Sequence, residues 1–252
     1  MKKDNLKVRT YNSKGEDEIR KNFTKVFKSC AIPDDQILSN LGLFLNSKNL
    51  SRILFLSYIY QMIIDKQGII IEFGTRWGQN LAVFAALRGI FEPFNRHRKI
   101  VGFDTFKGFP SVSVRDGKSE MMFKGNLALT KNYVNYLRTV MDYHEADNPL
   151  SHIKKYDLMV GDATLEIKKY FKRFPETIIS LAFFDFDLYK PTKLCLQAIK
   201  PHLIKGSVLA FDELNDHDSP GETIALSEVF GLNNIRLKRY PYTSRSSYFI
   251  VE

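Results

Sequence analysis

A chain of 252 residues with 44% hydrophobic and 13% aromatic content can bury a full hydrophobic core, which excludes a disordered or fibrous protein. Its net charge of +9 is compatible with a nucleic acid, an acidic membrane surface or a phosphorylated substrate as partner, and equally with a lysine-rich solvated surface. No helix-turn-helix, RNA-binding aromatic signature or basic-aromatic repeat accompanies this charge, so we do not expect a nucleic-acid partner.

The first residues, MKKDNLKVRT, lack the apolar segment of a secretory leader, and the two cysteines, Cys30 and Cys195, form no CxxC pair. The longest apolar stretches run to about a dozen residues, short of the roughly 18 to 20 that span a bilayer. We therefore expect a cytoplasmic protein without a membrane span. The sequence leaves open whether the chain forms a homo-oligomer.

From residue 68 onward, short apolar runs alternate with amphipathic segments of helix length. This alternation favours parallel strands joined by crossover helices. Five strands are predicted, at GIIIEF, KIVGFD, YDLMVG, TIISLAFFDFD and GSVLAF. The segments IRLKRYPY and SSYFIVE, joined by TSRS, are predicted to add an antiparallel hairpin. The expected fold is therefore α/β, with a doubly wound and mostly parallel sheet of seven strands.

Two regions fall outside this alternation. Residues 1–65 are predicted to form two or three helices that cap a domain spanning residues 66–252. Residues 111–152 form a polar insertion between the second and third strands. Long segments on the rim of an open α/β sheet are often lids over a ligand. We therefore expect both regions to close over a bound molecule.

Proline and glycine mark the predicted helix ends. Pro191 and Pro220 suit the first turn of a helix, and Gly206 is predicted to stop the helix that precedes it. The interior Pro201 is predicted to kink or shorten that same helix.

Ligands in such sheets bind beyond the carboxyl ends of the strands. At the first end, Gly74 and Gly78 allow a tight turn and close approach of a ligand beside Glu72, although a βα turn alone explains these glycines equally well. At the second end, Asp104 can accept both hydroxyls of a ribose, which indicates a nucleoside-containing cofactor. At the third end, Asp162 suits both a helix N-cap and a contact with the base of that nucleoside.

The fourth and fifth strand ends carry a cluster of carboxylates. Asp185 and Asp187 are spaced i and i+2, which on a strand directs both side chains to one side, and Asp212 and Glu213 follow the neighbouring strand. Clustered carboxylates repel each other unless a hard cation such as Mg²⁺ lies among them or their pKa values rise. The alternative is that these residues cap helices and form turns.

The strand-end segments resemble class I S-adenosylmethionine-dependent methyltransferases, and more narrowly the macrocin O-methyltransferase group, which methylates sugar hydroxyls. In chain order they are IIIEFGTRWGQN, VGFDTFKGFP, GDATLEI, FFDFDLYKPTKLCLQAIKPHLIKGSVLAFDE and PGETIALSEVF. The resemblance covers residues 68–230 and depends mainly on FDTFKGFP and DFDLYKPT. It implies a Rossmann-like fold, S-adenosylmethionine and Mg²⁺ as cofactors, and a sugar, nucleotide sugar or glycoside as methyl acceptor.

The resemblance also implies roles for single residues. The cofactor positions are Glu72, Gly74, Thr75, Asp104, Thr105, Asp162 and Asp185. The metal ligands are Asp185, Asp212 and Glu213. Asp187 is the general base that removes the proton of the acceptor hydroxyl. The chain departs from the group at Glu213, where a second aspartate is usual, and at Asp162, where an aromatic or polar residue is usual.

His144, in the insertion, is a second candidate for the base, whereas the other histidines show no metal-ligand spacing. Two other functions stay open. A metal-dependent tailoring enzyme that resembles cephalosporin hydroxylases would use similar strand ends without releasing S-adenosylhomocysteine. A non-catalytic module would bind an acidic glycan or nucleic acid through the basic N-terminal region, with an affinity that falls steeply with salt.

Overall fold

The computed structural model describes residues 11–252, and the first ten residues of the predicted cap lie outside the described residues. Within residues 11–252, the strands form one seven-stranded sheet in the order β3-β2-β1-β4-β5-β7-β6. The strands are β1 (Ile69–Phe73), β2 (Ile100–Asp104), β3 (Tyr156–Val160), β4 (Ile179–Phe184), β5 (Leu203–Phe211), β6 (Lys238–Arg239) and β7 (Ser247–Ile250). The first five are parallel, and β7 pairs antiparallel with β5 and β6. The predicted α/β sheet with its C-terminal hairpin is confirmed.

Seven α-helices accompany the sheet in the described part of the chain. They are α1 (Glu16–Lys28), α2 (Ser47–Gln61), α3 (Gln79–Phe91), α4 (Tyr133–Asp147), α5 (Ala163–Arg173), α6 (Tyr189–Ile199) and α7 (Gly221–Phe230). Helices α2, α3 and α4 pack on one face of the sheet, and α5, α6 and α7 pack on the other. None of the described helices is long and apolar enough to cross a membrane.

Successive side chains of each central strand enter opposite cores. On β1, Ile70 joins the core under α2 and α3, whereas Ile71 joins the core under α5, α6 and α7. Leu181 and Ala182 of β4 divide in the same way. Because both faces of the sheet are covered, these strands are mostly apolar, with Glu72 in β1 and Ser180 in β4 as buried polar exceptions, and this pattern made them recognisable in the sequence.

The helix-end predictions have mixed outcomes. Pro191 lies in the first turn of α6 and Pro220 immediately precedes α7, as predicted. Pro201 lies in a 3-10 turn after α6, which shortens the helix to Ile199. The prediction for Gly206 was wrong, because this glycine lies inside β5 at a φ of 93°. There its amide donates a hydrogen bond to the carbonyl of Val251 at 2.8 Å. Gly206 therefore lies at an irregularity within a strand and not at the end of a helix.

The two predicted lid regions both contribute to the core. In α2, which the sequence assigns to the cap, Phe55, Leu56 and Ile59 are fully buried. In α4, part of the insertion at residues 111–152, Leu137 and Met141 are buried against α3. By contrast, α1 buries none of its residues. No residue of segment 11–46 is buried, whereas the part of the insertion before α4 is held to α6 by a hydrogen bond from the Tyr189 amide to the buried Asp116 at 2.5 Å. The lid role of both regions stays a prediction.

Candidate active site

Four parallel strands end side by side at one edge of the sheet. The backbone amides just past these ends continue the ladder: Gly74 donates to Phe103 at 2.9 Å, Asp185 to Phe73 at 2.9 Å, and Asp212 to Phe184 at 3.0 Å. Residues distant in sequence are thereby fixed at the same height along the sheet edge.

A cavity of about 780 Å³ opens above this edge, large enough for a cofactor and part of an acceptor. All the predicted cofactor and metal residues line it, together with Asp187. Residues from the N-terminal segment close one side of it, namely Tyr11, Asn12, Glu16 and Lys48. His144, on α4, is not among the described residues that line the cavity. His144 as the base stays a prediction.

Gly74 makes the first turn possible. Its φ is 88°, in the left-handed region that favours glycine, and a β-carbon there would lie 1.9 Å from the backbone oxygen of Asp185. Only a residue without a side chain can therefore join β1 to the following turn while Asp185 passes alongside.

Glu72 contributes a buried carboxylate to the cavity wall. The residue is 1% exposed, and its Oε2 atom has no hydrogen-bond partner among the described residues. Burial, followed by the neighbouring Asp185, raises the pKa of Glu72 well above its usual range, and Arg52 opposes this shift. An unpartnered buried acceptor is costly, so a ligand that donates a hydrogen bond or carries a positive charge suits this position.

Asp104 is held rigidly at the end of β2. Its Oδ2 accepts the backbone amide of Arg76 at 2.7 Å, and its Oδ1 accepts that of Phe106 at 2.5 Å. Burial raises the pKa of Asp104 although these two bonds oppose it. Each carboxylate oxygen keeps lone-pair capacity for a further bond, which fits the predicted contact with two ribose hydroxyls.

Asp162 caps α5, because its side chain accepts the amide of Thr164 at 2.9 Å. Since it also lines the cavity, the N-cap reading is confirmed and a nucleoside contact stays a prediction. Thr105 supports the turn after β2 by donating to the carbonyl of Gly108 at 2.8 Å. Thr75 lies between Gly74 and Arg76 and is buried.

One arginine bridges two of the predicted metal ligands. Arg52 of α2 places Nη2 at 2.6 Å from Asp185 Oδ2 and Nη1 at 2.5 Å from Asp212 Oδ1. Its Nε donates to Asn80 at 3.0 Å. These two carboxylates therefore have a counter-charge within the protein, which the sequence analysis did not predict. Even so, desolvation and Asp212 raise the pKa of Asp185 to about 7.

The third predicted ligand, Glu213, lines the same cavity but bonds a different arginine. Its Oε2 accepts a hydrogen bond from Arg245, which also pairs with Asp216 at 2.9 Å. Burial and the neighbouring Asp187 raise the pKa of Glu213 strongly. The extra methylene of glutamate, relative to aspartate, carries its carboxylate to Arg245. Arg245 also lies 3.9 Å from Asp212 Oδ2, and the Oε1 atom of Glu213 has no hydrogen-bond partner among the described residues, so Glu213 as a metal ligand stays a prediction.

Asp187 reaches the cavity by a turn and not by strand alternation. Strand β4 ends at Phe184, and Asp187 has a φ of 60°, in the left-handed region. Asp185 and Asp187 therefore do not share one face of a strand, as their i and i+2 spacing predicted, although both line one cavity. Asp187 is only 9% exposed, so its carboxylate lies in a largely desolvated position.

Sequence reasoning missed both arginines, yet one of them carried a signal. Arg52 precedes the buried Phe55, Leu56 and Ile59 by three, four and seven residues, which places a charge on the apolar stripe of an amphipathic helix. A charged residue on such a stripe needs a buried partner. Arg245, in the loop before β7, carried no comparable signal.

Comparison with solved structures gives two close matches. A crystal structure of CalS11, described as a calicheamicin methyltransferase, is 40% identical, covers 96% of this chain and 94% of its own, and has a TM-score of 0.93. The apo structure of CalS11, described as a TDP-rhamnose 3′-O-methyltransferase, is 37% identical over 96% of both chains with a TM-score of 0.84. The O-methyltransferase NovP, at 17% identity over 79% of both chains and a TM-score of 0.57, shares the fold. No protein-family model and no curated protein matches the chain.

Proposed function

Since this chain belongs to the class I S-adenosylmethionine-dependent methyltransferases, within the sugar O-methyltransferase family, we propose that it methylates a hydroxyl of a sugar, nucleotide sugar or glycoside. The observation that carries this proposal is the cavity above the strand ends, where Glu72, Asp104 and Asp187 converge. TDP-rhamnose, which the CalS11 description names, is the first acceptor to test.

The residues of the cavity fit S-adenosylmethionine. Asp104 has acceptor capacity for the ribose hydroxyls, and the buried Oε2 of Glu72 has no partner among the described residues, which suits a donor such as the ammonium of the methionine moiety. When bound, the cofactor supplies an electrophilic methyl group on a sulfonium. The close approach of Gly74 to Asp185 brings this pocket beside the carboxylates of β4 and β5.

Asp187 is proposed as the general base. A sugar hydroxyl is a weak nucleophile, so removal of its proton during attack accelerates transfer by roughly 10²- to 10⁴-fold in typical enzymes. The cavity position and low exposure of Asp187 support this role. Tyr11, Asn12, Glu16 and Lys48, which also line the cavity, are proposed to exclude water from the acceptor.

Asp185 and Asp212 are proposed as the residues that hold a Mg²⁺ ion, because a single guanidinium already contacts one oxygen of each. Carboxylate oxygens on neighbouring strand ends are suitable ligands for this ion. When bound, Mg²⁺ would lower the pKa of an acceptor hydroxyl and orient it. Glu213 bonds Arg245 through one carboxylate oxygen, and its other oxygen, Oε1, has no partner among the described residues, so its place as a third ligand stays a prediction.

The experiment is a methyl-transfer assay. The purified chain is incubated with S-adenosylmethionine, Mg²⁺ and TDP-rhamnose, followed by other nucleotide sugars and glycosides, and S-adenosylhomocysteine is quantified by mass spectrometry. We expect S-adenosylhomocysteine together with an acceptor heavier by one methylene unit. Asp187→Asn serves as the matched inactive control, because it keeps the size and the left-handed backbone of the residue.

Two negative results have different meanings. If S-adenosylhomocysteine binds in calorimetry but no sugar is methylated, the acceptor class is wrong. If S-adenosylhomocysteine does not bind, the assignment of the cavity to the cofactor is wrong, and a cavity used for another ligand would have to be considered.

A further inference from the structure

Arg52 contacts one carboxylate oxygen of Asp185 and one of Asp212, and carboxylate oxygens are also the ligands of a hard divalent cation. One guanidinium lies within 2.6 Å of Asp185 Oδ2 and 2.5 Å of Asp212 Oδ1. A Mg²⁺ ion binds its ligand oxygens at about 2.0–2.1 Å, and Ca²⁺ at about 2.3–2.6 Å. A dication at these two oxygens and the guanidinium would therefore overlap in space and repel each other.

The helix that carries Arg52 is fixed, whereas its side chain has a route out. Phe55, Leu56 and Ile59, on the same face of α2, are fully buried, so α2 does not move without disrupting the core. The Arg52 side chain is 26% exposed and lines the cavity. Apart from the two aspartates, its contacts are a hydrogen bond to Asn80 and the ring of Phe183 at 5.5 Å. Rotation of this one side chain into the cavity would uncover both carboxylates.

The charge balance favours occupation of the pair by one cation at a time. Without a counter-charge, the neighbouring carboxylates of Asp185 and Asp212 repel each other. With Arg52 in place, the two carboxylates and the guanidinium together carry one net negative charge, and Arg245, 3.9 Å from Asp212 Oδ2, stays at the edge of the pair in both states. With a dication in place and Arg52 withdrawn, the pair is neutral. In both states the carboxylates have a partner, which avoids the cost of unpaired buried charge.

We propose that Arg52 and a divalent cation bind the Asp185–Asp212 pair in mutually exclusive fashion, with the guanidinium occupying the pair until the cation displaces it. This inference rests on the cation site of the proposed function and adds its regulation. In the natural chain the cation binds only when Arg52 has left the two carboxylates. The apparent affinity for the cation is therefore lower than the affinity of the free carboxylate pair. A substitution that removes the guanidinium therefore tightens cation binding, the opposite of what loss of a ligand-supporting residue does.

The test compares cation affinity in the absence of cofactor and acceptor. Mn²⁺ and Mg²⁺ are titrated by calorimetry into the full chain, Arg52→Met and the control Arg115→Gln, and bound Mn²⁺ is checked by electron paramagnetic resonance. Arg115 pairs with Glu228 at 2.6 Å, is 51% exposed and lies outside the cavity lining, so its substitution removes an arginine–carboxylate pair elsewhere. We expect Arg52→Met to bind Mn²⁺ about tenfold or more tightly than the natural chain, and Arg115→Gln to match the natural chain.

A second pair of variants keeps the test decisive. Arg52→Lys retains the positive charge but cannot contact both carboxylates through a planar guanidinium, so its affinity for Mn²⁺ should be intermediate. This variant tests the inference if Arg52→Met folds poorly. In the Arg52→Met background, Asp185→Asn should abolish the gain, which shows that the cation binds at this pair.

Equal or weaker Mn²⁺ binding in Arg52→Met would overturn the inference, and so would the absence of binding in every variant. The methyl-transfer assay separates these failures from failure of the proposed function. Methyl transfer without any cation binding would leave the function standing and remove the inference. Tighter cation binding in Arg52→Met, together with no methyl transfer by the natural chain to any acceptor, would support the inference and contradict the proposed function.

Discussion

Gly74 and Asp185 approach each other so closely that a β-carbon on the glycine would lie 1.9 Å from the backbone oxygen of the aspartate. The amide of Asp185 also donates to the carbonyl of Phe73, directly before Gly74. The turn proposed to receive the cofactor and the strand end proposed to support catalysis are therefore one rigid unit, and displacing either backbone displaces the other.

Gly74→Ala should consequently impair cofactor binding as well as stability. Alanine is strained at a φ of 88° and would push against the Asp185 backbone, which cannot yield as a flexible side chain would. We expect the affinity for S-adenosylhomocysteine to fall by about tenfold or more, with a lower Tm, as measured by calorimetry and thermal unfolding. Gly42→Ala is the control, because nothing lies within 4 Å of a β-carbon at that position. Unchanged affinity in Gly74→Ala would show that this turn is not part of the cofactor site.

Asp104→Ala tests the ribose contact. The substitution removes a carboxylate that is oriented by two backbone amides at 2.5 and 2.7 Å. We expect S-adenosylmethionine binding to weaken by about 2 kcal/mol or more, since hydrogen bonds to a charged group are lost. Asp65→Ala, at an exposed aspartate that pairs only with its neighbour Lys66, should leave the affinity unchanged. Calorimetry that shows equal affinity for Asp104→Ala and the natural chain would remove Asp104 from the site.

Much of the sheet could be predicted from the sequence because its strands are buried on both faces. Ile71 and Ala182, for example, lie in short, mostly apolar runs, and such runs bounded by turns indicate central parallel strands. Once the strands are placed, Asp104, Asp185 and Asp212 must meet at one edge, since the carboxyl ends of parallel strands lie together.

What could not be predicted depends on contacts between segments distant in sequence. Arg52 reaches Asp185 across 133 residues, and no local pattern encodes that distance. The orientation of Asp187 depends on where β4 stops, and the alternation of Phe184, Asp185 and Phe186, which suits a continuing strand, does not reveal that the strand ends at Phe184. The contribution of α4 to the core was not predicted because its hydrophobic residues are mixed with polar ones, and only Leu137 and Met141 among them are well buried.

A buried ion pair far from the cavity gives a pH-dependent prediction. Arg98, 1% exposed, donates to Glu92 at 2.7 Å and to the carbonyl of Ile63 at 2.8 Å, and Tyr60 donates to the same carboxylate. Burial opposes ionisation of Glu92, but hydrogen bonds from Arg98, Tyr60 and Asn95 outweigh it and lower its pKa. Because the folded-state pKa is depressed, Glu92 contributes stability that is present above its unfolded pKa and is lost as the pH falls through the folded value.

Glu92→Gln should therefore destabilise the chain by about 3–5 kcal/mol near neutral pH, because it leaves the Arg98 charge buried without its partner. The difference in free energy of unfolding between the natural chain and this variant should shrink below about pH 4.5, where the natural carboxylate loses its advantage. Denaturant unfolding at a series of pH values measures both effects. Glu252→Gln, at an exposed glutamate 3.8 Å from Arg236, is the control and should show neither. A difference that stays constant down to pH 3 would contradict the depressed pKa.

Asp187→Asn and His144→Gln together decide which residue acts as the base. Asparagine is among the residues that best tolerate a left-handed backbone, so the φ of 60° at position 187 should be retained. Loss of the proton acceptor should lower kcat by about 10²-fold or more, while the affinity for S-adenosylmethionine stays within about threefold, because a base acts on the transition state and not on cofactor binding. His144 lies outside the cavity lining, and burial lowers its pKa, so His144→Gln should keep near-natural turnover. Single-turnover methyl transfer, with cofactor affinity measured separately by calorimetry, distinguishes these effects. A large loss of kcat in His144→Gln with normal turnover in Asp187→Asn would reverse the assignment and require α4 to move toward the acceptor.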